Sequence, residues 1–226
     1  VPIFVTVGII GYRRRMRQRT ADAPPVLDGR SFLKALGVGV LGYYVASFLD
    51  FQALEYISAQ FDRLILLTYP FFVVLFGAVF FKRKVTPAML AGQLLSYLGI
   101  AIIFWRDVHF EGRDVILGAA LVFGAAVTYA GYQILAKPLI DRMGAQLFTS
   151  IAMSGAGPMV IIHFLLTHDL ADLAVPVSAL PLMLAIGTVS TVLPAYCISA
   201  AIGLVGPERT AVIGNISPLV TIALAV

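Results

Sequence analysis

Leu64-Ile-Leu-Leu-Thr-Tyr-Pro-Phe-Phe-Val-Val-Leu-Phe-Gly-Ala-Val-Phe-Phe81 runs without a charge and is followed at once by Lys82-Arg83-Lys84. A helix rises about 1.5 Å per residue and a bilayer core is about 30 Å thick, so roughly 20 apolar residues cross it. The stretch reads as most of a transmembrane helix over 58–81 that ends in a basic loop. Comparable apolar runs lie at 1–12, 32–53, 86–105, 115–136, 145–167, 179–203 and 208–226. The first and last are too short or too abruptly ended to be finished elements. Val1 opens inside such a run with no charged segment before it, so it does not read as a signal peptide. Val226 stops inside another. The expectation is a piece of a longer, multi-pass chain.

Composition agrees. Of 226 residues, 60% are hydrophobic and only 12% charged, against about 25% charged in ordinary globular domains. The mean hydropathy is +0.94. So few charges cannot build a water-facing surface, which excludes a soluble domain, a disordered chain and a coiled coil. Cys197 is the only cysteine, so neither an intrachain disulfide nor a thiolate metal cluster is available. The net charge of +4 does not point to nucleic acid, because the basic residues fall between apolar runs. There is no Gly-rich Lys nucleotide motif, no HExxH and no Cys/His cluster, so neither ATP, a metal nor another cofactor is expected.

The positions of the cations set a topology. Arg13, Arg14, Arg15, Arg17, Arg19, Arg30 and Lys34 follow the first run, Lys82, Arg83 and Lys84 the third, Lys137 and Arg142 the fifth, and Arg209 the seventh. These alternate loops hold thirteen of the 16 basic residues. Positive-inside then places the 13–31 loop, with Lys34 just beyond, in the cytoplasm. The opposite loops are short and carry Glu55, Asp107, Glu111, Asp114, Asp169 and Asp172. The 13–19 cluster reads first as an orientation signal, with an anionic-lipid contact as the alternative.

A shift of 148 residues superposes two stretches. Phe51 to Gln60, continuing to Tyr69-Pro70, falls on Ser199 to Glu208, continuing to Ser217-Pro218. Identity is weak, but the order of helix end, tight break and proline-bearing helix is the same. By the charge argument the two proline-bearing helices cross in opposite directions, so the halves are inverted, each with an odd number of helices. Residues 1–107 and 108–226 are therefore read as two inverted repeats. Five helices per repeat make ten in the parent, with about eight represented here. Inverted repeats are a common secondary-transporter architecture, with the site near the midplane.

The chain resembles the EamA-type transporters of the drug/metabolite transporter superfamily over nearly its whole length. The residues that carry the resemblance are Ala53-Leu-Glu-Tyr-Ile-Ser-Ala59, the Tyr69-Pro70 step, and Thr86 with Gly92 and Gly99. In the second half they are Gly118 with the Tyr129 region, and Gly206 through Pro218. The resemblance implies ten helices in two inverted five-helix units, a bacterial cytoplasmic membrane, and movement of small metabolites, often export. One departure stands out. Many members carry Gly-Glu at the end of the 58–81 helix, where this chain has Lys82-Arg83, so any role of that glutamate is not carried over.

Ionisable groups at membrane depth are costly and thus candidate functional groups. Asp50, Asp62 and Arg63 qualify. Asp62 and Arg63 are about 100° apart on a helix and do not face each other directly, so an Asp50–Arg63 pair across the hairpin is one reading. A coupling role for Asp62 or Arg63 is the other. Asp62, Leu66, Tyr69 and Val73 share a face, and the shift maps them onto Thr210, Gly214, Ser217 and Thr221. The two stripes suggest a common cavity, with close helix packing as the alternative. Pro70 and Pro218 would kink their helices and aid gating. Tyr129, Tyr132, Gln133 and Asn215 could bind a polar solute if they line a cavity, with interfacial anchoring near a helix end as the alternative for Tyr132 and Gln133.

Together these features point to an all-α polytopic membrane protein. Its expected role is secondary active transport of a small organic solute by alternating access, in the export direction. Coupling to protons is compatible with this, with Asp62 favoured and Asp50 second. Uptake, and a non-transporting membrane sensor or scaffold, stay open. Membrane lipid is the expected surround, and a homodimer is compatible with it.

Overall fold

A computed structural model describes residues 1–17, 27–82, 85–87, 90–91, 93–94, 97–98, 114–173 and 176–215. The ordered elements are α1 (Pro2–Arg17), α2 (Gly29–Gly39), α3 (Ala46–Ala53), α4 (Ala59–Leu66), α5 (Tyr69–Phe81), α6 (Asp114–Met143) and α7 (Ala145–Thr167). They continue with α8 (Leu180–Ala185), α9 (Leu193–Val205) and α10 (Pro207–Gly214). A π-helical stretch, Val40–Val45, joins α2 to α3, and a second, Ile186–Val192, joins α8 to α9. Among the described residues there is no strand. Among the described residues five spans are long and apolar enough to cross a membrane: Gly29–Ala53, Phe61–Phe81, Val115–Met143, Ala145–Thr167 and Val177–Val205.

Three expected boundaries move. Arg13 lies within α1, and Arg14, Arg15 and Arg17 in its last turn, rather than in a loop, which suits arginine because cations favour a helix C-terminus. The 115–136 helix runs on to Met143, tied by an i,i+4 pair between Lys137 and Asp141 and by Lys137 donating to the Gly203 carbonyl at 3.3 Å. The 58–81 helix is broken. Thr68 N bonds the Ile65 carbonyl at 2.9 Å, a tightened turn that ends α4. Pro70 then stands in the first turn of α5, where a missing N–H costs nothing. It starts a helix rather than kinking one. The shift of 148 relates both ends of α4 to both ends of α10, and it carries Val40–Val45 onto residues overlapping the second π-helical stretch.

The chain packs as two units, residues 1–44 with 136–204 and residues 45–135 with 205–226. Each draws on both sequence halves, and the 107/108 boundary lies outside the described residues. In the first unit α1 and α2 lie against α7. Gly8 and Gly39 permit the approach: an ideal Cβ on Gly8 would stand 2.8 Å from Ser150 Cβ, and one on Gly39 2.2 Å from the Ala152 carbonyl oxygen. Small residues at such crossings are how membrane helices gain packing where lipid supplies no hydrophobic drive. Ser150 Oγ and Tyr196 Oη are 2.8 Å apart, and Tyr44 Oη meets His163 Nδ1 at 2.8 Å.

At one end of this unit Arg15 donates to the Arg142 carbonyl at 3.1 Å and Arg142 pairs with Asp28 at 3.3 Å. Two segments assigned to one side by charge therefore meet. Asp28 caps α2 by accepting from Ser31 N at 3.1 Å, and hydrogen bonding from the Ser31 side chain, with that backbone bond and Arg142 adding less, holds its carboxyl below the usual carboxylate range.

In the second unit Ala53, Ile57, Phe61, Ile65, Val115 and Val122 form one buried core. Val73, Ala130, Ile134 and Ala211 form another, where α5 and α10 pack together. Gly37 and Gly39 of α2 differ in what surrounds them. A Cβ at Gly39 meets backbone, whereas nothing lies within 4 Å of one at Gly37. Gly39→Ala is expected to destabilise by about 1–3 kcal/mol and Gly37→Ala not at all, read as thermal unfolding in detergent.

Candidate functional site

Asp50, Asp62, Arg63, Tyr69, Tyr129 and Asn215 all fall in the second unit. Ser217 and Pro218 lie outside the described residues. The others gather into two clusters.

The first stands at the start of α4. Ser58 caps the helix, its Oγ accepting from Phe61 N at 3.3 Å, and this register turns Asp62 inwards. Asp62 is 0% exposed. Asp50 on α3 is near enough to Asp62 and Arg63 to interact with both electrostatically. Arg63 Nε is 3.7 Å from Asp62 Oδ2, and the arginine side chain is 63% exposed. The expected Asp50–Arg63 pairing thus gives way to a three-membered group. The arginine curls back to its sequence neighbour, which the length of its side chain permits despite the angle between the two positions. While both carboxyls are ionised, Asp50 Oδ1 and both Asp62 oxygens have no hydrogen-bond donor among the described residues.

The second cluster lies beside the α4–α5 break. Tyr69 Oη donates to the Ala211 carbonyl at 3.2 Å. Gln133 hydrogen-bonds the same hydroxyl, so its amide nitrogen is the donor, and its Oε1 is buried without a partner among the described residues. The Tyr69 ring meets Tyr129 edge-on at 5.2 Å, and Tyr129 stacks on Tyr132 at 5.7 Å. Asn215 follows the C-terminus of α10, with a buried Oδ1 that no described donor reaches. Tyr97 Oη donates to the Thr68 carbonyl at 3.1 Å, supplying a bond at the break.

Two expectations change. Tyr132 and Gln133 are not interfacial: they are 0% and 1% exposed, because α6 continues ten residues beyond Gln133. The two polar stripes touch rather than frame an opening at Tyr69, since an ideal Cβ on Gly214 would lie 2.4 Å from Tyr69 Oη. Sequence reasoning also missed Tyr97, and it used Glu208 only as a repeat marker although that residue is buried in the first turn of α10. A cavity of about 460 Å³ opens in the first unit, between α1, α2 and α7. It is mostly apolar, and no sequence-predicted site residue lines it.

Comparison with known proteins decides the family. The EamA-like transporter family matches residues 3–105 and 116–226. The chain belongs to that family. EamA-like proteins are polytopic, all-α and membrane-embedded, as these helices are, and they fall within the drug/metabolite transporter superfamily. The chain is 28% identical to an uncharacterized transporter, YcbK, of Bacillus subtilis (strain 168), covering 98% of this chain and 70% of that protein. It is 28% identical to an uncharacterized transporter of Archaeoglobus fulgidus, covering 67% of this chain and 48% of that one. A solved structure described only as that of a protein shares the fold, with TM-score 0.54 at 18% identity over 94% of this chain and 67% of the other. Where many EamA-type members carry Gly-Glu, Lys82 takes a left-handed backbone (φ 50°), a conformation that glycine enters more readily.

The Tyr69–Gly214 contact is testable. Tyr69→Phe is expected to cost about 1 kcal/mol through the lost hydrogen bonds. Gly214→Ala is expected to cost about 1–2 kcal/mol by overpacking. In the double variant the clash is gone, so the summed losses should exceed the measured one; a double-mutant cycle on unfolding in detergent reads this directly.

Proposed function

We propose that this chain works in a secondary active transporter that carries a small organic solute across a bacterial cytoplasmic membrane. It does so by alternating access between the repeats 1–107 and 108–226, in the export direction, with a proton as the coupling ion. Membership of a transporter family supports transport over catalysis. The 148-residue spacing of α4 and α10, with the two π-helical stretches offset by nearly the same amount, supports the repeat.

One observation carries the coupling. Asp62 lies in a membrane span with no exposure and, among the described residues, no donor for either oxygen. A carboxylate at the centre of a span costs about 2.5–3.5 kcal/mol on insertion scales. A purely structural role would need a partner that satisfies it, and Arg63 at 3.7 Å is too distant for a hydrogen bond. A group held this way can take a proton from one side and release it to the other.

The solute path is assigned to the face that holds Tyr69, Tyr129 and Asn215, with Arg63 at its mouth. The α4–α5 break at Pro70 is the hinge, and Pro218 is its counterpart in the second repeat. Tyr69 closes on Gly214 in the state seen, so access requires α5 and α10 to separate. The 13–31 segment is placed on the cytoplasmic side by its charge.

Comparative metabolite profiling of cells producing the full-length protein or its Asp62→Asn variant tests this reading. The expected outcome is one solute class enriched in the medium by the wild type alone. Equal enrichment by the variant would contradict the role of Asp62.

A further inference from the structure

The cavity of the first unit is apolar along its length and cationic at one end. On α1 it is lined by Val5, Gly8, Ile9, Tyr12 and Arg13, positions that recur every three or four residues and so share one face. From Val5 to Arg13 that face covers about 12 Å of helix axis. Leu36 of α2 and Leu147 and Ile151 of α7 supply further walls. Leu147 and Ile151 are buried, whereas Val5, Ile9 and Tyr12 are exposed, so the cavity opens beside α1. The two helices run antiparallel: a Cβ on Gly11 would meet Gln146, one on Gly8 would meet Ser150, and one on Gly157 would meet Val1. The arginine end of the cavity therefore lies at the start of α7. Its other end, by Phe4 and Ser154, lies near the middle of the span Ala145–Thr167.

We infer that this cavity holds one acyl chain of an anionic phospholipid from the surrounding bilayer, with the phosphate of that lipid on Arg13. The inference is independent of which solute the protein carries.

Arg13 apart, the walls offer only the hydroxyls of Tyr12, Ser150 and Ser154, and Ser150 is already engaged with Tyr196 at 2.8 Å. A polar solute buried there would lose its bonds to water and recover few. An apolar cavity stays dry and takes up hydrocarbon instead. About 460 Å³ is the size of a site for a small ligand, within the range of about 300–1,000 Å³. The charge sits at the end that reaches the membrane surface, where Arg17 stands one turn beyond Arg13 on the same face. The ion pairs among the described residues join Arg63 to Asp62, Lys137 to Asp141 and Arg142 to Asp28, so neither Arg13 nor Arg17 is spent on a carboxylate there. An apolar chain with an anionic head matches both ends, since phosphate accepts charge-assisted hydrogen bonds from a guanidinium. Tyr12 beside it suits headgroup depth, where amphipathic rings gather.

Photo-crosslinking of the purified full-length protein with phosphatidylglycerol bearing a diazirine on one acyl chain tests the inference. The expected result is labelling of α1 and α7 around Ile9 and Ile151. Unlabelled phosphatidylglycerol should compete roughly fivefold better than net-neutral phosphatidylcholine of the same chains. Arg13→Gln is expected to weaken labelling roughly fivefold, and Ser154→Phe, which fills the deep end, to abolish it. Arg14→Gln, about 100° round the helix from Arg13, should leave it unchanged. Equal competition by phosphatidylcholine, an equal loss in Arg14→Gln, or full labelling of Ser154→Phe would overturn the inference. So would a wild type labelled elsewhere than on α1 and α7, or not at all, since protein rather than lipid would then fill the cavity. If a variant fails to fold, the labelled positions and the lipid preference of the wild type still decide.

Discussion

Inside a bilayer, no water is present to satisfy a backbone N–H or C=O, so every break in a helix must be answered by another part of the protein. Most of what is distinctive in this chain follows from that requirement. The span over 61–81 is interrupted at Leu67 and Thr68, and the Thr68 carbonyl accepts from Phe71 N at 3.0 Å and from Tyr97 Oη. Tyr69, at the start of α5, spends its hydroxyl proton on the Ala211 carbonyl of α10. Ser58 answers the first turn of α4. The interruptions are thus the places where tyrosine and serine side chains gather, and the candidate site residues sit among them.

The same constraint separates packing from function. Gly8 and Gly39 let α1 and α2 approach α7 so closely that no side chain would fit. Thr128 returns its hydroxyl to its own helix at the Gly124 and Ala125 carbonyls, both at 2.9 Å. Those polar and small residues are fully accounted for by structure. Asp62, Gln133 and Asn215 are different, since each keeps a buried oxygen that no described donor reaches.

Much of this was legible in the sequence, and for physical reasons. Hydropathy reports the length of chain that lipid must cover, so the spans over 32–53, 145–167 and 179–203 were placed within a few residues. Asp62 stood out because a charge in such a run is expensive. Rotation and depth were harder. Gln133 was assigned to the interface because the apolar run ends near it, yet the helix continues through Lys137 and Asp141, whose pairing keeps it wound. The α4–α5 break was read as a kink because proline marks the place but not whether it bends a helix or begins one. The electrostatic grouping of Asp50 with Asp62 and Arg63 depends on how α3 and α4 pack across the turn at 54–58, and no local pattern encodes that.

The account depends most on the claim that proton movement is coupled to solute movement, in the opposite direction, through the buried carboxyl of Asp62. Proton movement measured with an internal pH dye, in proteoliposomes holding the full-length protein and driven only by a gradient of its solute, tests it most directly. The account predicts proton flux opposite to solute flux in the wild type, and none in Asp62→Asn although solute still exchanges. Solute flux in the wild type with no accompanying proton movement, or unchanged proton movement in Asp62→Asn, would contradict it.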